Sequence, residues 1–344
     1  MKKVIFVVDD SDTNLAMVEL ALEQHYQIIT ISSAARMFEL LVKVTPDMIL
    51  LDIEMPGENG FDALSKLKTS DNYSSIPVIF LTNLSDPANE AKGIELGAVD
   101  FIAKPFSKSV LINRLKHHLD IEDLIQARTD HLLKMQSGIV FTMAELVESR
   151  DKNTGGHIER MAWYTRVLVE AMIKQKAYFD ELRSWDLDAF ISSTRLHDIG
   201  KIAIPDSVLN KPDKLTDEEF GVMKTHPSAG KLVIDNLISR TDGVEFLLDA
   251  KLASVYHHER WDGKGYPYGL KETDIPLQGR IVAIIDVYDA LVSERPYKKP
   301  LTDEEARGII RDGAGKHFDP EITNVFLGIK EQLSSERLKT TAYY

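Results

Sequence analysis

The chain has 344 residues, a formal net charge of −13 and no cysteine. The length predicts two domains. The lack of cysteine excludes disulfides, zinc fingers and iron–sulfur clusters, which leaves histidine and carboxylate side chains as metal ligands. The acidic balance argues against nonspecific binding to nucleic acid or to an anionic membrane surface. No apolar stretch approaches the roughly 20 residues that a membrane span needs, so we expect a cytoplasmic protein.

The first 106 residues or so alternate β-rich apolar runs with amphipathic helical patterns. Helical patterns fall around residues 12–24, 34–44, 60–69 and 87–96. The apolar runs are Val4–Val8, Gln27–Ile31, Met48–Leu51, Val78–Leu81 and Val99–Ile102. The first run ends in two aspartates, which is typical of a strand and not of a signal peptide. This order predicts an α/β doubly wound, five-stranded parallel sheet.

Polar residues stand where the predicted strands end, and ligands of such sheets bind at the carboxyl ends of the strands. They are Asp9, Asp10, Asp52, Thr82 and Lys104. Three carboxylates so close together repel one another unless a hard cation such as Mg²⁺ binds among them. The lysine and the threonine can hold phosphoryl oxygens, and an aspartate in this setting can accept a phosphoryl group as an acyl phosphate.

With these residues the first 120 positions resemble the receiver domain of two-component response regulators. The motifs that carry the resemblance are Val8-Asp9-Asp10, Asp52, Met55-Pro56-Gly57, Thr82, Phe101 and Lys104-Pro105. The resemblance implies that Asp52 is the phosphoacceptor. It implies that Mg²⁺ is held by Asp10, Asp52 and the Glu54 carbonyl with help from Asp9, and that Thr82 and Phe101 are the switch pair. A histidine kinase or phosphotransfer protein is then the expected partner.

A long helical pattern runs from Lys108 to about Glu148, without proline and with Gly138 as its single glycine. We interpret it as the last helix of a receiver domain (1–120) that continues into a connector helix (121–139), followed by an all-α catalytic domain (140–335). The apolar stripe of this helix fits two arrangements. The helix packs on its own domain, or it pairs with a second copy in a homodimer through the receiver or the connector.

Beyond residue 140 the pattern is helical, with capping boxes that begin at Thr216 and Thr302. Two dipeptides dominate this half, His197-Asp198 and His257-His258, and further metal-type residues accompany them: His157, His226 and Asp286. Imidazole and carboxylate suit borderline divalent metals. An aspartate beside a histidine can bridge two metals, and such sites activate water for phosphoester hydrolysis. If the helix continues past His197, Lys201 lies on the same face and can neutralise a phosphate oxygen.

From about Val147 to Pro320 the chain resembles the HD-GYP branch of the HD phosphohydrolases, which degrades cyclic di-GMP. The shared motifs include Thr154-Gly155-Gly156-His157, His197-Asp198-Ile199-Gly200-Lys201, His257-His258-Glu259, Gly265-Tyr266-Pro267 and Asp286-Val287-Tyr288-Asp289. The resemblance implies hydrolysis to pGpG, with further cleavage to GMP left open, under control by Asp52. It implies Asp198 and Lys201 as catalytic residues. The implied metal ligands are His157, His197, Asp198, His226, His257, His258 and Asp286. The implied phosphate-binding residues are Tyr266, Arg295 and Lys298.

The resemblance also implies iron or manganese as the metal, while histidine and carboxylate ligands by themselves would also permit zinc or nickel. Some family members carry a glutamate that helps to hold a third metal, four residues before the first ligand histidine. Here that position is Asn153, and because an amide is a poorer ligand for a hard cation than a carboxylate, we predict two metals. Three alternatives stay open: a cyclic di-GMP receptor of low turnover, a hydrolase that prefers pGpG, and an HD hydrolase for another nucleotide.

Overall fold

A computed structural model of the chain describes residues 2–82, 87–151, 156–241, 245–294, 299–329 and 333. The chain divides into two compact units, Met1–Leu132 and Leu133–Tyr344. One helix, α5, covers Lys108–Glu148 and so contains the division. No helix in the described ranges combines the length and apolarity needed to cross a membrane. The expected domain limits at 120 and 140 stay a prediction.

The first unit is built on a parallel sheet of five strands in the order β2-β1-β3-β4-β5. The strands are β1 (Val4–Val8), β2 (Gln27–Ile31), β3 (Met48–Asp52), β4 (Val78–Thr82) and β5 (Asp100–Ala103). The helices that alternate with them are α1 (Asp12–Leu22), α2 (Ala34–Leu41), α3 (Gly60–Lys68) and α4 (Pro87–Glu95). The prediction of a doubly wound sheet is confirmed.

The strands of this sheet are apolar because helices cover both faces. Every residue of β3 and β4 is buried, as expected for parallel strands between two helical layers. Phe6, Ile49 and Phe80 face one core, and Ile5, Leu50 and Ile79 face the other. The sheet therefore presents its polar residues where the strands end, at Asp52 and Thr82.

The second unit is helical in its described part, as predicted. After α5 its helices are α6 (His157–Gln175), α7 (Phe179–Leu182), α8 (Leu187–Ser193), α9 (Asp206–Leu209), α10 (Asp217–Met223), α11 (His226–Ile238), α12 (Glu245–Tyr256), α13 (Leu277–Val292), α14 (Asp303–Asp312) and α15 (Pro320–Gly328). Both predicted capping boxes are confirmed, Thr216 with Glu219 and Thr302 with Glu305.

Helix α13 is the central element of this unit. Most of its residues are buried, and Ile281, Ile284 and Ile285 lie in the same core cluster as Leu168 of α6. Four helix segments meet at one place: the beginnings of α6 and α11, the end of α12 and the middle of α13. Histidines and aspartates stand at these points, so the packing of the helices assembles them.

The segment around His197 differs from the prediction of a continuing helix. Helix α8 ends at Ser193, and two 3-10 helices follow, Thr194–Leu196 and Ile199–Ala203. In the second of them Gly200 passes so close to α11 that a Cβ atom would overlap the carbonyl oxygen of His226. The tight winding and the glycine bring the His-Asp pair against the start of α11, and the argument from helix spacing for Lys201 was wrong.

Candidate functional sites

The receiver-like site lies at the carboxyl edge of the sheet. Asp9, Asp10 and Asp52 each place a ligand-type oxygen within 4.8 Å of the others. The Nζ atom of Lys104 lies 2.6 Å from the Asp9 carboxylate and 2.9 Å from the Asp52 carboxylate. Burial raises the pKa of Asp52 above its ordinary value, against the hydrogen bond from Lys104. The arrangement suits a divalent cation and a phosphorylatable carboxylate.

The other residues predicted for this site lie around it. Thr82 is buried at the end of β4, and Glu54 is exposed just beyond β3. The ring of Phe101 packs against the ring of Phe80, with centroids 5.1 Å apart. Since phosphoryl contacts and a switch motion are not tested, the assignments of Thr82, Glu54 and Phe101 stay predictions.

The second site is a cluster of imidazoles around one carboxylate, Asp198. One oxygen of this carboxylate, Oδ1, lies 3.3 Å from Nε2 of His226 and 3.7 Å from Nε2 of His257. The other, Oδ2, lies 3.4 Å from Nε2 of His197. Asp198 thereby belongs to two ligand groups. The first also contains His226, His257 and His258, and the second also contains His157 and His197.

Asp286 stands beside the second of these groups. Its Oδ1 atom lies 3.9 Å from Nε2 of His157 and 4.0 Å from Nε2 of His197. All seven residues predicted as ligands therefore lie in one cluster, in which Asp198 belongs to both ligand groups.

Hydrogen bonds fix which ring nitrogen of each histidine points into the cluster. The Nδ1 atoms of His197 and His226 donate to the carbonyl oxygens of Thr194 and Met223, at 2.9 and 2.8 Å. The Nδ1 atom of His257 has two carbonyl acceptors in the last turn of α12. Because Nδ1 carries the proton, Nε2 keeps a lone pair for a metal.

The polar atoms at the centre fit a bound cation. Nε2 of His197 and Oδ1 of Asp198 are buried without a hydrogen-bond partner among the described residues. The Nε2 atoms of His226 and His257 face each other at 3.5 Å, an arrangement of two lone pairs that a cation between them stabilises. Buried acceptors that converge without donors are the signature of a metal site.

The electrostatics of the cluster favour a positive charge at its centre, either a proton on His197 or a cation in its place. Burial would lower the pKa of His197, but the carboxylates of Asp198 and Asp286 raise it to about 9. Burial lowers the pKa of His226 to about 4. Despite burial, Lys201 and the neighbouring imidazoles hold the pKa of Asp198 well below its ordinary value. The site therefore offers an ionised carboxylate and at least one neutral imidazole at neutral pH.

Asp289 is a functional residue for which the sequence suggested no role. Its side chain is only 2% exposed, and its Oδ2 atom accepts a hydrogen bond from Nδ1 of His157 at 2.7 Å. Arg160 donates to the same carboxylate through Nε at 2.6 Å and Nη2 at 3.0 Å. Asp289 lies one helical turn after Asp286, so the spacing could have indicated a second inward-facing carboxylate.

Tyr266 covers one side of the cluster. Its ring stacks on that of His258, with centroids 4.7 Å apart. The loop that follows is held by Glu259, which is buried and accepts hydrogen bonds from the backbone N–H groups of Tyr268, Gly269 and Leu270 at 2.7, 3.2 and 3.0 Å. Glu259 was noted only as part of a motif, and its role as an anchor comes from the structure.

Three of the residues that were given a role from the sequence lie outside the described ranges. They are Asn153, Arg295 and Lys298. Their predicted roles at the metal site and at the substrate phosphates therefore stay predictions.

Two family models match the chain. The response regulator receiver domain matches residues 5–116, and the HD domain matches residues 121–322. The chain belongs to the HD domain family. Its receiver match agrees with the sheet and the aspartate cluster of the first unit, and its HD match agrees with the His-Asp cluster of the second. An HD domain implies a divalent metal, which the ligand groups fit.

The chain is similar to curated proteins over all or part of its length. A probable cyclic di-GMP phosphodiesterase of Vibrio cholerae is 40% identical over 343 residues, covering 95% of this chain and 78% of that protein. The cyclic di-GMP phosphodiesterase response regulator RpfG of Xanthomonas campestris is 34% identical, covering 83% of this chain and 76% of its own. A 3′3′-cGAMP-specific phosphodiesterase of V. cholerae is 39% identical over 55% of this chain and 34% of its own.

Proposed function

We propose that this chain is a response regulator whose HD domain hydrolyses cyclic di-GMP to pGpG, under the control of Asp52 phosphorylation. The observation that carries the proposal is the Asp198 carboxylate, which presents one oxygen to each of two histidine groups. That geometry is what a two-metal phosphoester hydrolase requires. The substrate is proposed from the names of the relatives that match along both domains.

The metals that fit this site are two divalent cations, proposed as iron or manganese, with Mg²⁺ in the receiver. When bound, the pair supplies an activated water and charge stabilisation for a phosphoryl group. Elemental analysis of the purified protein tests the number. We expect two tightly bound transition metals per chain, and three would contradict the prediction made from Asn153.

The side chains of the site divide the remaining work between them. Lys201 Nζ lies 2.7 Å from Oδ2 of Asp198, where its charge can stabilise an equatorial phosphoryl oxygen as negative charge develops there. The phenol of Tyr266 lies over His258 and can donate to a phosphate oxygen. Burial raises the pKa of Tyr266, so the group stays protonated as a donor. Arg295 and Lys298 are proposed to hold the dinucleotide phosphates.

Product analysis tests the activity. Cyclic di-GMP is incubated with anaerobically purified protein plus iron or manganese, and the nucleotides are separated by chromatography. We expect pGpG, with any GMP appearing later, and no product from Asp198→Ala. Asp188→Ala is the matched control, because that aspartate is exposed and pairs only with Arg166 among the described residues. Unchanged substrate from a metal-loaded protein would favour a receptor instead.

A second substrate deserves the same assay, because one relative is named for 3′3′-cGAMP. An equal mixture of cyclic di-GMP and 3′3′-cGAMP gives the ratio of their kcat/KM values directly. A second mixture of cyclic di-GMP and pGpG gives the ratio for the linear dinucleotide. We expect cyclic di-GMP to be consumed first. Preference for pGpG would make the chain a hydrolase of the linear product.

The proposed partners are a histidine kinase or phosphotransfer protein and a second copy of the chain. The middle of α5 exposes apolar side chains that a homodimer would cover: Leu124 at 55%, Ile125 at 54%, Leu132 at 57% and Met135 at 50% exposure. Light scattering on the full chain tests this. A dimer that Leu132→Lys dissociates is expected, and a monomer at micromolar concentration would exclude the pairing.

A further inference from the structure

The junction after helix α5 touches the catalytic lysine of the proposed function. Helix α5 ends at Glu148, and the next turn brings Arg150 and Asp151 against the segment Lys201–Asp206. Asp151 contacts the side chain of Lys201, whereas Arg150 contacts backbone carbonyl groups of the segment. Neither was singled out by sequence reasoning, because the contact joins residues about fifty positions apart.

Asp151 holds the ammonium group of Lys201. Its Oδ2 atom lies 3.1 Å from Nζ, and Asp198 Oδ2 lies 2.7 Å from the same atom. The side chain of Asp151 is only 10% exposed, and that of Lys201 only 20%. With two carboxylates as partners, Nζ is fixed between Asp198 and the turn that follows α5. A partly buried lysine held at both sides loses the rotamer freedom that a surface lysine keeps.

Arg150 holds the backbone on which Lys201 stands. Its guanidinium donates to the carbonyl oxygens of Ile202 at 2.8 Å and Ile204 at 3.1 Å, and to the Asp206 carboxylate at 2.7 Å. Asn210 in turn donates to the carbonyl oxygen of Arg150 at 2.8 Å. Because the 3-10 helix Ile199–Ala203 ends in this segment, carbonyl groups at its end need partners outside the helix, and the Arg150 guanidinium donates to two of them.

The helix before this junction packs onto the residues that flank the His-Asp pair. Val140, Ala144 and Val147 of α5 share a core cluster with Leu196 and Ile199, which flank the His-Asp pair. The last turns of α5 thus pack on the residues beside the His-Asp pair, and the turn that follows α5 is hydrogen-bonded to Lys201 and the residues after it. Helix α5 also continues without interruption from the receiver unit.

We propose that Arg150 and Asp151 are positioning residues that set the Lys201 ammonium, and that they couple the end of α5 to turnover. The inference rests on the proposed function, since it assigns Lys201 to the reacting phosphoryl group. A displacement of the end of α5 then moves Lys201 relative to Asp198. The receiver thereby has a physical route to the rate of the reaction through the covalent continuity of one helix.

A double-mutant cycle on the full, manganese-loaded chain tests this role. Asp151→Asn keeps the shape and removes the charge, and we expect kcat to fall by about tenfold, as for residues that orient a catalytic group. KM and metal content should stay as in the wild type, because substrate contacts and ligands are untouched. In the Lys201→Ala background the same substitution should have no further effect, since residues that act through one another are not additive.

The arginine is tested by two variants and a control. Beryllofluoride mimics a phosphoryl group on Asp52. Arg150→Gln should lower kcat and reduce the change in turnover that beryllofluoride causes. Arg150→Lys should recover part of the kcat and part of this response. Arg166→Gln and Asp188→Asn remove a comparable surface pair, whose Arg166 Nη2–Asp188 Oδ1 distance is 2.6 Å, and should change neither. A matching loss of melting temperature in all variants, with additive effects of Asp151→Asn and Lys201→Ala, would reduce the junction to a structural role and overturn the proposal.

Failure of this inference is distinguishable from failure of the proposed function. If the wild type releases pGpG and Asp151→Asn does so at the same kcat, only the positioning role is wrong. If the wild type leaves cyclic di-GMP intact, the same variants are compared on bis(p-nitrophenyl) phosphate, an activated phosphodiester. Equal rates there would overturn the positioning role as well.

Discussion

The substitution Asp289→Asn probes how the protein orients a metal ligand. In the native chain the carboxylate accepts from Nδ1 of His157 and from Arg160, so Nε2 of His157 keeps a lone pair for the metal. An asparagine amide can donate to Nδ1, which moves the ring proton to Nε2 and removes that lone pair. Loss of such an outer partner typically weakens metal affinity by about 10- to 100-fold.

The same substitution leaves the Arg160 guanidinium without its charged partner. Breaking a buried pair on one side destabilises a protein by about 3 kcal/mol, and for a unit of this size that corresponds to a melting temperature lower by roughly 6–12 °C. Despite burial, His157 and Arg160 hold the pKa of Asp289 below its ordinary range. This contribution to stability is therefore present above about pH 4 and lost as the pH falls further.

Two assays separate the effects. Manganese binding is measured by calorimetry well below the melting temperature, and unfolding is followed by circular dichroism on metal-free protein. Asp188→Asn serves as the control for loss of an exposed carboxylate, with an expected change of at most about 1 kcal/mol. If Asp289→Asn binds manganese as tightly as the wild type, the tautomer argument is refuted, whatever happens to stability.

Three further outcomes are expected. Glu259→Gln should raise KM by roughly tenfold with little change in kcat, because a charged acceptor for the loop after Tyr266 is lost; steady-state kinetics decide, and an unchanged KM would contradict the anchor role. Asp52→Asn should abolish the response of turnover to acetyl phosphate while the unphosphorylated rate persists, and a retained response would place the phosphate elsewhere. Burial lowers the pKa of His317 to about 4, so its contribution to stability is complete above about pH 6.5 and falls by about 2–3 kcal/mol towards pH 4; urea titrations of His317→Gln should show a shallower decline, and an identical decline would exclude this histidine as its source.

The sheet could be predicted from the sequence because the hydrophobic pattern and the residues at the strand ends indicate the same elements. Apolar runs alternate with helical patterns, and the charged residues Asp9, Asp52 and Lys104 mark the strand ends. The cluster of predicted metal ligands could be anticipated because histidines and aspartates in this pattern have few other uses. In both cases the local sequence carries the information.

What the sequence did not supply depends on contacts between distant segments and on local winding. The chain after Ser193 forms 3-10 helices and not the continuing α-helix on which the argument for Lys201 relied, because Gly200 must approach α11 closely. Asp151 is charged and polar like many turn residues, and only the fold brings it to Lys201. Asp289 was quoted in a motif, but its partners His157 and Arg160 lie on another helix.

Three predicted histidine ligands and Lys201 differ in which part of the chain orients their side chains. His197, His226 and His257 are set by carbonyl groups three or four residues earlier in their own turns, whereas Lys201 takes its position from the junction after α5. Three of the predicted histidine ligands are thus oriented within their own turns, whereas the lysine proposed to act on the substrate is held by residues outside its own segment. On the proposed role of Lys201, a signal along α5 alters the rate of catalysis while the metals stay bound, so the site need not be reloaded with metal each time the chain is switched.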